Sequence, residues 1–261
     1  MIKWILLNLD VEEFDIPEEY GQMVDPMDKI RVSSEGLTLV LDLLEKLDIK
    51  ITCFTTVYFA QNQPSLIKRI IQRHELASHG YFHSKFQPDN LRSSRLELER
   101  LSGKKVYGFR QPRLEAAEGR GTFSAGYVYD SSLNPIWLPG RYMNLFKPRV
   151  PYLSNGILNL PISTSPIIRY PLFWLSFKNS PLWLFKYMSR WALQTDGYLN
   201  IFFHPWEFSD LSNWRLPAFV KRLSGREMLA KLEKYLVWMK TQAEFITCSS
   251  FAEMFYKQNK L

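Results

Sequence analysis

The chain has 261 residues, of which 46% are hydrophobic and 15% aromatic, so it can bury a substantial core and is not a disordered protein. No stretch reaches the roughly 18 uninterrupted apolar residues that a membrane-spanning helix needs. The short apolar run at the N-terminus lacks the length and the cleavage site of a signal peptide. We therefore expect a cytoplasmic protein without a transmembrane anchor. The only two cysteines, Cys53 and Cys248, lie in strand-like apolar runs and are predicted to be buried free thiols.

The net charge of +7 comes from one part of the chain. Residues 131–195 contain seven basic side chains and no acidic one, and the stretch 167–191 is also rich in aromatic residues. Such a basic, aromatic surface suits peripheral contact with an anionic membrane or with a phosphate-bearing, lipid-linked substrate. Nucleic acid is not expected, because no known nucleic-acid-binding module is present. The alternative is an ordinary core helix with a few solvated cations.

Short strand-like runs alternate with helix-like segments along the chain. This alternation predicts an α/β fold, with a parallel sheet that closes towards a barrel and is covered by helices. We predict one domain over 1–261, with a basic, aromatic-rich insert around 134–195. The predicted elements are, in chain order, a strand over 4–8, a helix from Ser33 or Ser34 to Leu47, a strand over 50–56, a helix over 64–73, a strand over 75–78, a helix over 92–101, strands over 106–110, 127–130 and 157–162, a helix over 181–193, a strand over 198–203, a helix over 225–240 and a strand over 245–248.

Acidic residues follow the first predicted strand. Asp10 and Glu12 are two residues apart, so on an extended chain their side chains point the same way and can share one pocket. One carboxylate could bind a metal ion while the other serves as a base, and Glu13 is a further possible ligand. The alternative is an acidic loop in water.

Two of the four histidines follow the third predicted strand, at His79 and His83. Histidines four residues apart lie on one face of a helical turn, a spacing suited to joint zinc ligation. A His-x3-His pair also occurs by chance. His74, which precedes the same strand, is expected to be structural.

Two further polar residues stand at predicted strand ends. Arg110 follows the strand over 106–110 and could hold a carboxylate ionised through its charge and its hydrogen bonds. His204 ends the apolar strand over 198–203 and precedes a proline, which favours an acid–base role over that of a core histidine. Since the carboxyl ends of parallel strands meet at one edge, these side chains are expected to lie close together.

The order of these motifs resembles that of the polysaccharide deacetylases of the NodB type (carbohydrate esterase family 4). The resemblance is carried by the run from Ser33 through residues 48–54 into the His-x3-His segment 75–83. A carboxylate motif lies upstream of this run, and an Arg-x-Pro motif and an apolar-x-His motif lie downstream of it. A Tyr-Asp-Ser segment over 129–132 also matches, and the resemblance spans about residues 4–255. The Asp-Val-Glu form of the first motif resembles one branch of this family.

The resemblance implies a distorted (β/α) barrel of about seven parallel strands. It also implies metal-assisted removal of acetyl groups from N-acetylated sugars. On the matching positions, Asp10 would be the general base, Arg110 would orient it, and His204 would protonate the departing amine. The metal ion, expected to be zinc, would be held by Glu12, His79 and His83.

We therefore expect a hydrolase of non-peptide amide bonds that deacetylates an N-acetylated amino sugar, on an intermediate of surface-glycan synthesis. Two alternatives remain. One is a metal-independent amidase or deformylase acting on a small amide, and the other is an inactive barrel that binds glycans. The candidate substrate contacts are Tyr81, Gln111, Pro112, Arg141 and Trp206.

Overall fold

A computed structural model describes residues 2–84, 86–114, 120–138 and 142–259. Within them, nine strands join into one mostly parallel sheet and two form a separate hairpin. The strands are β1 Trp4–Val11, β2 Thr52–Thr55, β3 Glu75–Ser78, β4 Gly108–Phe109, β5 Tyr129–Asp130, β6 Trp137–Leu138, β7 Tyr142–Met143, β8 Tyr152–Ser154, β9 Ile157–Asn159, β10 Tyr198–Phe203 and β11 Glu244–Phe245. The helices are α1 Pro26–Lys46, α2 Val57–Asn62, α3 Pro64–Arg73, α4 Leu91–Ser102, α5 Arg120–Ser124, α6 Trp174–Asn179, α7 Leu182–Asp196, α8 Ala218–Lys221, α9 Gly225–Met239 and α10 Cys248–Gln258.

The main sheet curls into an incomplete barrel. Its order is β10-β1-β2-β3-β4-β5-β9-β8, and every neighbouring pair is parallel except β8 with β9. The short β11 adds a parallel partner beside the first residues of β1. The predicted distorted barrel of about seven parallel strands is therefore confirmed.

Strand β1 lies at the centre of the barrel because both of its faces are buried. Successive side chains on a strand point to opposite faces. Ile5 and Leu7 belong to the main core beneath the helices, whereas Leu6 belongs to a second apolar cluster. Asn8 shares the face of Leu6 and donates a hydrogen bond to Asn200 of β10 at 2.5 Å. The same face leads on to Asp10, so the alternation along β1 places a carboxylate inside the barrel.

Helix α1 begins eight residues before the position predicted from the sequence. Its N-terminal cap is Asp25, whose carboxylate accepts a hydrogen bond from the backbone N–H of Met27, and Pro26 occupies the first helical position. Both residues are typical of helix starts. Ser33, predicted as a possible start of the helix, is instead a buried residue inside it.

The C-terminal strand is shorter than predicted. Strand β11 ends at Phe245, and Cys248 begins helix α10 rather than ending a strand, because Thr247 caps the helix. Both cysteines are buried and free, as predicted. The start of α10 closes the lower end of the barrel, where the Ser249 N–H and the Tyr129 hydroxyl donate to the half-buried Glu75 carboxylate.

The segment 134–195, predicted as an insert, is part of the barrel architecture. It supplies strand β9, which pairs with β5, and helix α7, which packs against β10. Its basic residues do not form one surface, since Lys178 is 2% exposed and Arg149 is paired with Asp196. No helix among the described residues is long and apolar enough to cross a membrane.

A close backbone contact joins α1 to the loop after β10. Gly36 lies inside α1, and a Cβ added there would lie 1.9 Å from the carbonyl oxygen of Pro205. Replacing Gly36 by any other residue must push the two segments apart. The position of the loop that follows His204 is therefore coupled to the packing of α1.

We predict that Gly36→Ala destabilises the protein by about 1–3 kcal/mol, the usual cost of overpacking, although alanine favours helices over glycine by about 1 kcal/mol. Urea unfolding measures this difference. Thr38→Ala is the control, since Thr38 is exposed on the same helix and its hydroxyl bonds only within it, to Ser34. Equal stability of the two variants would contradict the predicted contact.

Candidate active site

The polar residues singled out in the sequence meet at the carboxyl ends of the parallel strands. Asp10 lies near the end of β1, His79 follows β3, Arg110 follows β4 and His204 follows β10. A cleft opens at this edge. Its lining residues are Asp10, Glu12, Ile16, Glu19, His79, His83, Arg113, Leu114, Tyr142, Trp174, Phe202, His204 and Trp206.

Glu12, His79 and His83 form a compact group of potential metal ligands. Glu12 Oε2 lies 3.1 Å from His79 Nε2 and 3.2 Å from His83 Nε2. A tetrahedral ion with bonds of about 2.1 Å separates its ligand atoms by about 3.4 Å. All three side chains are buried, and within the described part of the chain they are the group whose spacing could hold an ion.

The outer ring nitrogens of both histidines face acceptors. His79 Nδ1 lies 2.8 Å from the backbone oxygen of Arg110, and His83 Nδ1 lies 2.8 Å from Asp15 Oδ1. Each Nδ1 therefore carries a proton, and Nε2 is the ring nitrogen that faces Glu12. Two ring nitrogens and a carboxylate oxygen this close together need a proton or a cation between them. The donor set therefore fits a metal ion, with Asp15 and the Arg110 carbonyl orienting the two ligands.

The histidine pair is not helical, contrary to the expectation from its spacing. Residues 79–83 form a loop after β3, in which Gly80 has a φ of 82°. The two imidazole rings stack with centroids 6.0 Å apart. The predicted proximity is therefore present, but a turn through the left-handed region creates it, and glycine adopts that region without strain.

Glu13 has a different role from Glu12. Its Oε2 accepts a hydrogen bond from the Thr56 hydroxyl at 2.6 Å, and its Oε1 accepts one from the backbone N–H of His83 at 3.1 Å. Both carboxylate oxygens are thus used to fix the histidine loop and the start of α2. Of the two glutamates, Glu12 faces the cleft.

The electrostatics of the group favour a positive charge at its centre. Burial alone would raise the pKa of Glu12, but the imidazoles of His83, His204 and His79 hold it far below its ordinary value. Burial alone would lower the pKa of His83, yet Glu12 and Asp15 raise it to about 10. A bound divalent cation would supply the charge that these carboxylates attract.

Asp10 and Arg110 form a buried ion pair beside the potential metal ligands. Arg110 Nη1 lies 2.6 Å from Asp10 Oδ1, and both side chains are almost fully buried. The guanidinium also donates to the Ser131 carbonyl and hydroxyl and lies over the Phe54 ring at 4.1 Å. Since these contacts use all three of its nitrogens, Arg110 holds the Asp10 side chain in a fixed position.

His204 follows β10, the strand beside β1, and lies next to Glu12 in the cleft. Its Nε2 lies 3.8 Å from Glu12 Oε1, and its Nδ1 lies 3.2 Å from Glu207 Oε1. The ring is stacked on Trp206 at 4.9 Å and meets Trp174 edge-on at 5.2 Å. Although burial opposes the charged form, Glu12 and Glu207 raise the pKa of His204, so the ring is inclined to carry a proton.

The five candidate substrate contacts are placed differently from one another. Trp206 lines the cleft and donates its indole N–H to Glu12 Oε1 at 3.3 Å. Tyr81, Gln111 and Pro112 are not among the residues that line the cleft. Arg141 lies outside the described residues.

Several residues at the site escaped the sequence reasoning. Asp15 and Glu207 anchor the two histidines His83 and His204, and Trp174 packs on the His204 ring. Asp15 and Glu207 each lie within five residues of a motif, so an extended search around the motifs for carboxylates could have found them. Trp174 lies in α6, thirty residues before His204, and no local pattern marked it.

Comparison with known proteins agrees with this arrangement. Residues 23–118 match the family model "Polysaccharide deacetylase". A solved protein from Mycobacterium smegmatis, classed with the polysaccharide deacetylases, has a TM-score of 0.69 at 20% identity, over 98% of this chain and 91% of its own. Puue allantoinase has a TM-score of 0.66 at 16% identity, over 97% of this chain and 90% of its own. A CE4-family pseudoenzyme from Bacillus anthracis has a TM-score of 0.53 at 12% identity, over 96% of this chain and 66% of its own.

No curated protein sequence gives a significant match. The structural likenesses extend over nearly the whole chain and show its fold, whereas the family model covers the segment that contains α1, β2, β3 and the two histidines. Fold and motif sequence thus point to the same group of proteins. The resemblance to the NodB-type polysaccharide deacetylases of carbohydrate esterase family 4 is confirmed.

Proposed function

We propose that the protein is a metal-dependent N-deacetylase that hydrolyses the acetamide of an N-acetylated amino sugar. The observation that carries this proposal is the Glu12–His79–His83 group, in which two Nε2 atoms and a carboxylate oxygen converge beside Asp10 and His204. Three protein ligands with an open fourth position are typical of catalytic zinc sites. We propose zinc as the ion.

The side chains around this group supply the proton transfers of amide hydrolysis. A divalent ion held there would polarise the acetyl carbonyl and make the attacking water more acidic. Asp10, held in place by Arg110, accepts the proton of that water. His204 gives the proton on its Nε2 to the departing nitrogen, which leaves poorly unless it is protonated.

The aromatic walls of the cleft suit a sugar ring. Trp174, Trp206, Tyr142 and Phe202 line it together with the charged residues. Flat apolar rings can pack against the apolar face of a sugar while the polar groups contact its substituents. We propose an intermediate of surface-glycan synthesis as the substrate class. The competing functions are a metal-independent amidase acting on a small amide and an inactive, glycan-binding barrel.

We predict about one zinc ion per chain in the purified protein, measured by elemental analysis. His79→Ala should lose it, since one of three ligands is removed, and deacetylation of N-acetylchitooligosaccharides should fall with it. The matched control is His74→Asn, because His74 is a buried histidine outside the cleft. Full activity after exhaustive chelation would favour the metal-independent amidase, and metal binding without turnover would favour the inactive barrel.

We predict that Asp10→Asn lowers kcat by about 10²–10⁴-fold, the range expected when a general base is lost. The asparagine keeps the size of the side chain, so zinc content should stay near that of the wild type. Arg110→Met should also lower kcat, and it should destabilise the fold by about 3–5 kcal/mol because it leaves Asp10 buried and unpaired. Undiminished turnover of Asp10→Asn would contradict the assignment of the base.

We further propose a peripheral contact with anionic, lipid-linked substrate through the outer face of α7. Trp183 and Tyr187 are 70% and 62% exposed on that helix, and Lys186 and Arg190 lie beside them. Exposed aromatic rings next to cations are typical of surfaces that contact lipid headgroups. Lys178 has no part in this surface, because it is buried.

We predict that Lys186→Glu with Arg190→Glu reduces binding to vesicles containing phosphatidylglycerol, measured by co-sedimentation at low salt. The control is Lys68→Glu with Lys104→Glu, which makes the same change of charge at two exposed lysines on other elements. Equal loss in both variants would indicate an unspecific charge effect. Unchanged binding of the α7 variant would refute this contact.

A further inference from the structure

Lys178 is a buried cation for which the proposed chemistry has no use. It lies in α6, and its side chain is wholly shielded from water. Its ammonium donates to the backbone oxygen of Val220 at 2.9 Å and lies 3.7 Å from Glu207 Oε2. Burial lowers the pKa of Lys178, whereas Glu207 works in the opposite direction. A methionine in this place would avoid the cost of removing a charge from water.

Lys178 lies against three groups that support His204, which are Glu207, Trp174 and Trp206. Glu207 Oε1 accepts hydrogen bonds from the backbone N–H of His204 at 2.8 Å and from its Nδ1 at 3.2 Å. The Lys178 ammonium lies 5.7 Å from the ring of Trp174 and 5.8 Å from the ring of Trp206, within cation–π range. These are the two indoles that flank His204. The ammonium therefore lies behind the histidine, on the side away from the cleft.

Without Lys178, the buried negative charge of the Glu207 carboxylate would lack a nearby cation. Glu207 Oε1 serves His204, while Oε2 is buried and has no hydrogen-bond partner among the described residues. Glu207 is itself fully buried. A buried carboxylate in that situation tends to rotate towards another donor. That rotation would release the Nδ1–H of His204.

We propose that Lys178 is a positioning residue, whose buried ammonium fixes the Glu207 carboxylate so that His204 keeps its proton on Nδ1 and presents Nε2 to the cleft. The inference rests on the proposed function, in which His204 Nε2 gives its proton to the departing nitrogen. After that transfer the ring is neutral and Nδ1 still holds its own proton. Nε2 is then the free lone pair that can take up the next proton, and Lys178 continues to balance the charge of Glu207.

The tautomer of His204 tests this proposal without any substrate. The chain has only four histidines, so the imidazole nitrogens of protein labelled with ¹⁵N-histidine can be assigned with the aid of His204→Asn. In the zinc-loaded wild type, at a pH where the ring is neutral, we expect His204 to carry its proton on Nδ1. In Lys178→Met we expect a mixture of the two neutral tautomers. An unchanged Nδ1–H tautomer in Lys178→Met would overturn the proposal.

Lys231→Met is the matched control. Lys231 is a half-buried lysine of α9 that donates to the backbone oxygens of Phe177 and Ser180 and lies over the Phe177 ring at 5.0 Å. It therefore packs on the same helix α6 but does not reach Glu207. This variant should keep the wild-type tautomer of His204. A tautomer shift of equal size in both variants would show that disturbed packing of α6 is the cause, and would overturn the role of Lys178.

Kinetics on N-acetylchitooligosaccharides provide the second readout. Lys178→Met should lower kcat about tenfold or more while KM and zinc content stay within about twofold, since Lys178 touches no ligand of the ion. In a Glu207→Gln background the same substitution should have no further effect, because Lys178 acts through Glu207. That double variant also contains no unbalanced buried charge, so it should fold even where Lys178→Met does not.

The two readouts separate this inference from the function on which it rests. Additive losses of kcat in the double variant would mean that Lys178 acts independently of Glu207 and would overturn the proposal. A wild-type chain that loads zinc but turns over no N-acetylated sugar would count against the proposed function alone. The tautomer measurement would still decide the role of Lys178 in that case.

Discussion

The burial of negative charge at the end of β1 is the constraint on which the rest of the site depends. Asp10, Glu12, Glu13 and Asp15 lie within six residues, and each is no more than 4% exposed. An uncompensated buried carboxylate costs several kcal/mol. Each of the four must therefore meet a cation or hydrogen-bond donors from elsewhere in the chain. The loops that supply these partners are fixed in place as a consequence.

The negative charge of each carboxylate is compensated by different partners, so the four side chains have different positions and roles at the site. Asp10 pairs with Arg110, Glu13 accepts from Thr56 and from the backbone of His83, and Asp15 fixes the imidazole of His83. Glu12 instead contacts histidine ring nitrogens and accepts a hydrogen bond from one indole N–H. It is the carboxylate whose charge is best matched by an added metal ion. The proposed base and a potential metal ligand thus arise from the same buried cluster.

Near His204, a second buried carboxylate is also compensated by a buried cation. Glu207 and Lys178 are both shielded from water, and they lie behind His204 together with two indole rings. The contact of Gly36 with the Pro205 carbonyl holds this region against α1. Since α1 also follows the acidic loop in sequence, one helix couples the two regions. The spacing between Asp10 and His204 is therefore a property of the core packing.

Much of the site could be read from the chain because its groups stand at strand ends. Alternation of apolar strands and amphipathic helices predicts a parallel barrel, and a parallel barrel brings the residues after each strand to one edge. That reasoning found Asp10, Glu12, His79, Arg110 and His204 without coordinates. It gave the wrong local geometry for His79 and His83, because a four-residue spacing is compatible with a glycine turn as well as with a helix. Position at a strand end did not choose between Glu12 and Glu13, and the assignment of Glu12 rested on the family resemblance.

By itself, then, the sequence determined the barrel class, the edge of the sheet that carries the chemistry, and the residue types available there. All of these follow from local periodicity and from the order of motifs. The tertiary structure alone decided which glutamate faces the cleft and that Lys178 is a core cation instead of a surface one. The reason is physical: burial and charge pairing are set by contacts between residues far apart in the chain, such as Glu13 with Thr56 and Lys178 with Glu207, and no local pattern encodes them.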